Sequence, residues 1–166
     1  MDDVSAKIDN VCKEISTKIS IGMRSRGYRA ANELRNASQL VLRGQRSGRR
    51  YAIPNSGAKR RHRDKVTGRL VRGRRYTASA PGEPPAVRTG AFRASWQPKQ
   101  KVNVGTYNQV SVTSYIESRQ RTDNGKYNLG SILENGSGRM APRPYKEKIQ
   151  EKAKPKIVKI YKEPYM

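Results

Sequence analysis

Apolar residues at spacings of three and four open the chain. Val4, Ile8, Val11, Ile15, Ile19 and Met23 recur in that rhythm and predict an amphipathic helix over about the first forty residues. Asp2 and Asp3 stand where the helix dipole favours negative charge. The stripe continues less cleanly through Ala30, Leu34, Ala37 and Val41, with Gly22 and Gly27 as points for a bend or a split, and Gly44 as the C-terminal cap. A narrow stripe with polar flanks suits packing on a sheet or against a copy of itself, and periodicity alone does not choose between them.

The rhythm then shortens. Tyr51-Ala52-Ile53 predicts a short strand stopped by Pro54 and the turn-forming Asn55-Ser56-Gly57. A second strand is expected over Arg74 to Ser79, with an extended basic loop or long hairpin between the two. Pro81, Gly82, Pro84 and Pro85 form a rigid, non-helical connection, and Thr89 follows as the N-cap of a short helix carrying Phe92 and Ala94. Val102 and Val104, then Val110 and Val112, alternate with polar residues around the turn Gly105-Thr106-Tyr107-Asn108, the clearest hairpin signal in the chain. Trp96, at its entrance, is the expected core anchor.

Glu117 to Lys126 is polar and reads as a loop. Tyr127 to Glu134 predicts one or two helical turns ended by Asn135-Gly136. Tyr145, Ile149, Ala153, Ile157 and Ile160 share one face of a last helix, with Pro144 at its first position and Pro155 expected to kink or end it. The order is a long N-terminal helix, an antiparallel β-rich middle and a C-terminal helix: an α+β chain, read as one domain over residues 1–166.

Composition changes the picture in one respect. Val, Ile, Leu and Phe total 28 of 166 residues, while 36 Lys and Arg against 13 Asp and Glu give a formal charge of +23. So small a core under so much self-repulsion predicts that part of the order comes from neighbours, either identical subunits or a polyanion. The single Cys12 excludes an intramolecular disulfide framework and is expected as a reduced thiol near the apolar face of the first helix. No apolar run approaches the about 20 residues of a membrane span, and the acidic, amphipathic start is unlike a secretory signal. A soluble protein made in a reducing cytoplasm is the expectation, with no membrane partner.

Two stretches carry a family resemblance. ASAPGEPPAVRTGAFRASW, Ala78 to Trp96, resembles the signature Ala-Ser-x-Pro-Gly-x-x-Pro-x-x-x-Thr-Gly-x-[Leu/Phe]-Arg-x-Ser of siphophage tail-completion, or head–tail connector, proteins of the neck. ILENGSGRMAPRPYKEKIQ, Ile132 to Gln150, resembles the later block of the same family, a Glu, a Gly-containing turn and Arg-Pro-aromatic opening the last helix. The matching positions are Pro81, Gly82, Pro85, Thr89, Gly90, Phe92 and Trp96, then Glu134, Gly136, Arg143, Pro144 and Tyr145. The sequence departs from the pattern in a basic insertion at about residues 55–73 and in the Glu117 to Lys126 loop. The resemblance implies a virion protein assembled in the bacterial host cytoplasm and placed at the head–tail interface. It would form a homo-oligomeric ring, on the order of six or twelve copies, since heterologous contacts repeated by rotation close rings. Neighbouring neck, portal-side and tail proteins would be its partners, and viral double-stranded DNA would pass through the lumen. It implies no catalysis.

The chemistry-bearing residues are read the same way. His62 lies in Arg-Arg-His-Arg with only Asp64 nearby to orient it, too little for a general base. Glu83, Glu117 and Glu134 are widely spaced, without the clustering of a metal site or an acid/base pair, and Gly136-Ser137-Gly138 lacks the ending of a phosphate loop. No cofactor and no enzyme are expected; a nuclease or peptidoglycan hydrolase would want a catalytic set. The cations are concentrated instead. Thirteen of the 33 residues from Arg43 to Arg75 are Lys or Arg, with Asp64 the only acid. Arg49, Arg50, Lys59, Arg60, Arg61, Arg63, Lys65, Arg69 and Arg72 are the expected polyanion contacts, flanked by Tyr51 and Tyr76 as stacking or strand residues. An acidic surface on a neighbouring ring is the other expected partner of these cations. The rival class is a free basic nucleic-acid-binding protein of ribosomal or chromatin-like type. No helix-turn-helix, RNA-recognition or zinc module supports it.

Overall fold

A computed structural model of the chain describes residues 2–44, 46–52, 62–63, 70–71, 75–104 and 110–164; of residues 2–6, 52, 62–63, 70–71 and 104 only the backbone is described. The elements are α1 (Asp2–Val41), β1 (Arg50–Ala52), β2 (His62–Arg63), β3 (Leu70–Val71), β4 (Arg75–Thr77), α2 (Ala91–Ala94), β5 (Trp96–Val104), β6 (Val110–Ser118), α3 (Leu129–Asn135) and α4 (Lys146–Lys162). The chain is thus α+β, with a long N-terminal helix, antiparallel pairs in the middle and a C-terminal helix. β1 pairs with β4 and, nested between them in sequence, β2 pairs with β3, both antiparallel. β5 pairs with β6 across a five-residue connection, which is long enough only for an antiparallel return.

The chain divides into two compact units, one of residues 1–36, 97–117 and 153–166, the other of residues 37–96 and 118–152. In the first, small residues let helix and hairpin approach closely. Ala30, Ala31 and Ala153 are buried with Ile160. A Cβ on Gly27 would stand 2.5 Å from Val112 Cγ1 and 2.6 Å from Gln100 Nε2, so glycine is required there by space rather than by backbone angle. Ser114 Oγ donates to the Gly27 carbonyl at 2.6 Å and Gln100 Nε2 to that of Arg24 at 2.8 Å, seating α1 on the hairpin. One face of α1 also holds the end of α4. Arg26 Nη2 donates to the Pro164 carbonyl (2.6 Å), Arg29 forms a two-pronged pair with Glu163, and Lys156 Nζ lies 3.0 Å from Glu33. Spacings of three and four place Arg26, Arg29 and Glu33 on that face.

The second unit is built on aromatic rings. Ala37, Leu42, Trp96, Tyr145 and Ile149 are buried in it, with Ser38, Ser79 and Ser118 as buried polar residues. Ser95 Oγ and Ser118 Oγ share a hydrogen bond of 2.6 Å.

Several sequence expectations are corrected. Gly22 and Gly27 do not split α1, which runs unbroken because its later turns bury Ala30, Ala31, Ala37 and Ser38 and so are held by packing. Gly44 is not a left-handed cap; the last turn closes through Leu42 N–H to the Ser38 carbonyl, and Arg46 Nη2 donates to the Val41 carbonyl at 2.9 Å. Thr89 is not the N-cap of α2. That position is Gly90 at φ 85°, while Thr89 Oγ1 accepts the Ala91 N–H at 3.3 Å. Glu117 belongs to β6, which carries the strand on to Ser118 before the loop begins. Pro144 precedes α4, and Pro155 lies inside it without ending it. Pro155 and Glu151, the residue whose carbonyl it leaves without a donor, are both solvent-exposed, and Ile160 beyond them is buried, so packing carries the helix past the break. Cys12 does lie beside the apolar stripe, lining a shallow pocket with Ile15, Ile19 and Met23, but it is exposed rather than buried.

Candidate functional site

The two sequence blocks that carry the family resemblance meet in the second unit. Phe92 from α2, Trp96 at the start of β5 and Tyr145 before α4 form a closed triangle of edge-to-face rings, with centroids 5.6 to 5.8 Å apart. Each such contact contributes about 0.5–1.5 kcal/mol beyond the area it buries. Tyr145 is 1% exposed and donates its hydroxyl to the Gly130 carbonyl of α3 at 3.0 Å. Burial, then the charge of Glu134, pushes its phenol above the ordinary value and keeps it a neutral donor.

Backbone bonds join the same blocks. Gly82 N–H donates to the Pro142 carbonyl (3.2 Å), Arg143 N–H to that of Leu133 (2.8 Å), and Lys148 Nζ to that of Gly82 (3.4 Å). Gly136 ends α3 at φ 79°, where a Cβ would also stand 2.8 Å from the Met140 carbonyl oxygen. Glu134 Oε2 accepts the N–H groups of Tyr145 (3.1 Å) and Lys146 (3.3 Å), satisfying two of the orphan donors that open α4.

In sequence Glu83 is one of three isolated acids, and only the fold gives it a structural role. Its carboxylate accepts Ser47 N–H (3.1 Å), Ser47 Oγ–H (2.6 Å) and Ala80 N–H (2.9 Å). Those bonds hold it down at about 2, the Ser47 hydroxyl contributing most, then the Ala80 and Ser47 amides. Beside it, Arg46 donates to the Pro85 carbonyl from Nη2 (3.1 Å) and from Nε (3.3 Å). These bonds clasp the start of the basic stretch to the Pro-rich connection. Glu83 and Ser47 lie 36 residues apart, so no local motif could have announced the pair.

The basic stretch begins as a two-faced ribbon. Tyr51 and Tyr76 are partners in the β1–β4 ladder, with ring centroids 6.0 Å apart, and Tyr51 is exposed. Alternation puts Arg50 and Arg75 together on the opposite face. Gly48 N–H to the Ala78 carbonyl and Ala78 N–H to that of Arg49 extend the ladder. Arg49 and Arg50 are both exposed. Arg63 lies in β2, with its backbone alone described; Lys59, Arg60, Arg61, Lys65, Arg69 and Arg72 lie outside the described residues, as does most of the insertion at 55–73.

Two further surfaces are defined by the fold. A cleft of about 480 Å³ in the second unit joins an apolar floor that includes Phe92, Leu129 and Leu133 to four arginines, Arg88, Arg93, Arg121 and Arg143, with Asp123 as its one acid. Arg93 Nε is buried and has no hydrogen-bond partner among the described residues. In the first unit, the stripe of α1 stands open to solvent, Ile8 58%, Val11 55%, Ile15 51% and Ile19 42% exposed. Among the described residues no group of three His, Cys, Asp or Glu is placed to hold a metal ion, and no helix is long and apolar enough to cross a membrane. No family model matches the chain, and no curated protein or solved structure matches it either.

Proposed function

We propose that this chain is a ring-forming structural protein of the head–tail joint of a long-tailed bacteriophage. It would present a docking surface between head and tail and leave a passage for the DNA. The observation that carries the reading is the meeting of the two blocks at the Phe92–Trp96–Tyr145 triangle and the Glu134 cap. Residues that match the family's signature in sequence spend their side chains on geometry rather than on chemistry. Such a knot directs chain segments.

The arginine face of the β1–β4 ribbon supports a second part of the same reading, contact with DNA phosphates. Phosphate contacts release condensed counterions, so affinity falls steeply with salt. The same ribbon also favours the rival reading, a free nucleic-acid-binding protein, because Tyr51 exposes a ring on which a base can stack.

Negative-stain electron microscopy of lysates from a phage lacking the gene tests the first reading. Separate DNA-filled heads and finished tails are expected. Intact, joined particles would remove the neck role and leave the nucleic-acid binder in its place.

A further inference from the structure

The cleft of the second unit, about 480 Å³, has the size of an ordinary ligand site, about 300–1,000 Å³. Leu42, Pro85, Val87, Phe92, Leu129 and Leu133 make its surface apolar, and its cations are all arginines: Arg88, Arg93, Arg121 and Arg143. These come from three separate stretches of sequence, so the fold gathers them rather than a local run of charge. Arginine is the cation suited to such a place. Its guanidinium is planar and weakly hydrated, and it grips a carboxylate with two parallel hydrogen bonds.

The chain does not use these cations up. Among the described residues the Arg88 and Arg143 guanidinium groups make no hydrogen bond or ion pair, and Arg93 Nε is buried without an acceptor. Arg121 Nη1 donates to the Gly125 carbonyl at 3.0 Å. Asp123, the one acid of the lining, pairs with none of the four. Charge complementarity therefore calls for an anionic occupant. The apolar surface calls for one that brings apolar atoms beside its charge.

A nucleic-acid strand matches the charge but not the walls. Bases are held by stacking on open aromatic faces. Phe92 is already engaged edge-to-face with Trp96 and Tyr145, and Tyr76, the other ring of the lining, lies against Tyr51. A second copy brings a net charge of +23 against four arginines. A peptide segment with carboxylates beside aliphatic or aromatic side chains supplies both needs.

We infer that the cleft is a docking site for an acidic, apolar segment of another protein, with carboxylates on Arg88, Arg121 and Arg143 and an apolar side chain against Val87, Phe92 and Leu133. This does not rest on the head–tail reading; joined particles in the gene-deleted phage would leave it standing.

The test uses full-length protein and fluorescence anisotropy of a labelled synthetic peptide, Glu-Leu-Asp-Phe-Glu flanked by glycines. An analogue with serine for leucine and phenylalanine carries the same charge. Saturable binding is expected, and the analogue should bind about tenfold more weakly or worse. Arg88→Gln/Arg143→Gln should weaken binding of the peptide by about tenfold or more. Val87→Ser, at an exposed apolar position, should weaken it by about threefold. Lys152→Gln/Lys154→Gln removes the same charge at exposed residues outside the cleft and should change affinity by about twofold at most. Circular dichroism checks that each variant stays folded. Amide chemical-shift changes on titration should centre on residues 87–92 and 120–123.

Equal losses from the arginine and lysine pairs would reduce the attraction to the general charge of the chain and overturn the site. An analogue that binds as tightly as the peptide, or no saturable binding at all, would overturn it as well. A short oligothymidylate that displaces the peptide and depends on the same arginines would give the cleft to nucleic acid instead. Self-association that the arginine pair abolishes, read by sedimentation velocity, would place a second copy there and equally refute the inference.

Discussion

Glu134 and Tyr145 lie eleven residues apart, and the carboxylate of the first accepts the backbone N–H of the second at 3.1 Å. The same oxygen takes the Lys146 N–H, so one side chain from α3 caps the first turn of α4. A helix cap is normally supplied by the residue at the cap itself; here the turn through Gly136 folds it back from the previous helix. Replacing Glu134 with Ala should lower stability by about 1–2 kcal/mol, the range for removal of a cap. Urea unfolding followed by circular dichroism measures this, and a cost indistinguishable from zero would show that solvent satisfies these donors equally well.

Tyr145→Phe removes only the hydroxyl that meets the Gly130 carbonyl, and an expected cost of about 1 kcal/mol follows from a single buried hydrogen bond. Tyr145→Ala opens the ring triangle and should cost about 3–5 kcal/mol, as for other buried aromatics. The difference between the two substitutions, read in the same denaturation experiment, separates packing from hydrogen bonding. Equal losses would contradict the packing role of the triangle.

Glu83 makes stability depend on acid. Its folded value is held at about 2, below its ordinary carboxylate value, so the unfolded chain takes up a proton first as pH falls. The contribution is complete above the ordinary value, falls away below it, and is gone once the pH has passed the folded value. Thermal unfolding between pH 6 and the acid limit should therefore flatten in Glu83→Gln relative to wild type. An unchanged pH profile would mean that Ser47 and Ala80 do not hold the charged form in solution.

Gly27→Ala tests the approach of α1 to β6. Alanine is the better helix former by about 1 kcal/mol, so propensity alone predicts a gain. The Val112 methyl 2.5 Å from the new Cβ predicts a net loss of about 1–3 kcal/mol, the usual cost of overpacking. A stabilised variant would show that the helix and hairpin separate easily.

Arg49→Glu/Arg50→Glu changes two exposed cations at the start of the ribbon. If the ribbon contacts phosphate, fluorescence anisotropy on a short duplex should give weaker binding. The slope of log affinity against log salt should also shrink by about 0.9 for each phosphate that is no longer neutralised. An unaltered slope would assign DNA binding to other cations of the chain.

Periodicity and turn chemistry alone determined the order of elements. The spacing of Val4 to Met23 marked α1, alternation at Val102 to Val112 marked the β5–β6 hairpin, and Asn135-Gly136 marked the end of α3, because these are local effects of side-chain direction and backbone freedom. The candidate motif residues were legible for the same reason: proline, glycine and aromatics stand where the chain must turn or anchor. Cap identity was less legible. Thr89, Gly44 and Pro144 each have the right chemistry one or more residues from the observed cap, since several local choices differ by only a fraction of the packing energy that decides among them. What only tertiary structure decided was partnership. Glu83 reaches back to Ser47, and Glu134 finds the next helix, through contacts that leave no periodic trace in sequence. The stripe of α1 shows the limit most plainly. Ile8 to Ile19 and Ala30 to Ala37 follow the same three-and-four rhythm, yet the first run is exposed, whereas Ala30 and Ala37 of the second are buried and Leu34 between them is half-buried. Periodicity states which face is apolar; only the placement of the rest of the chain states whether anything covers it.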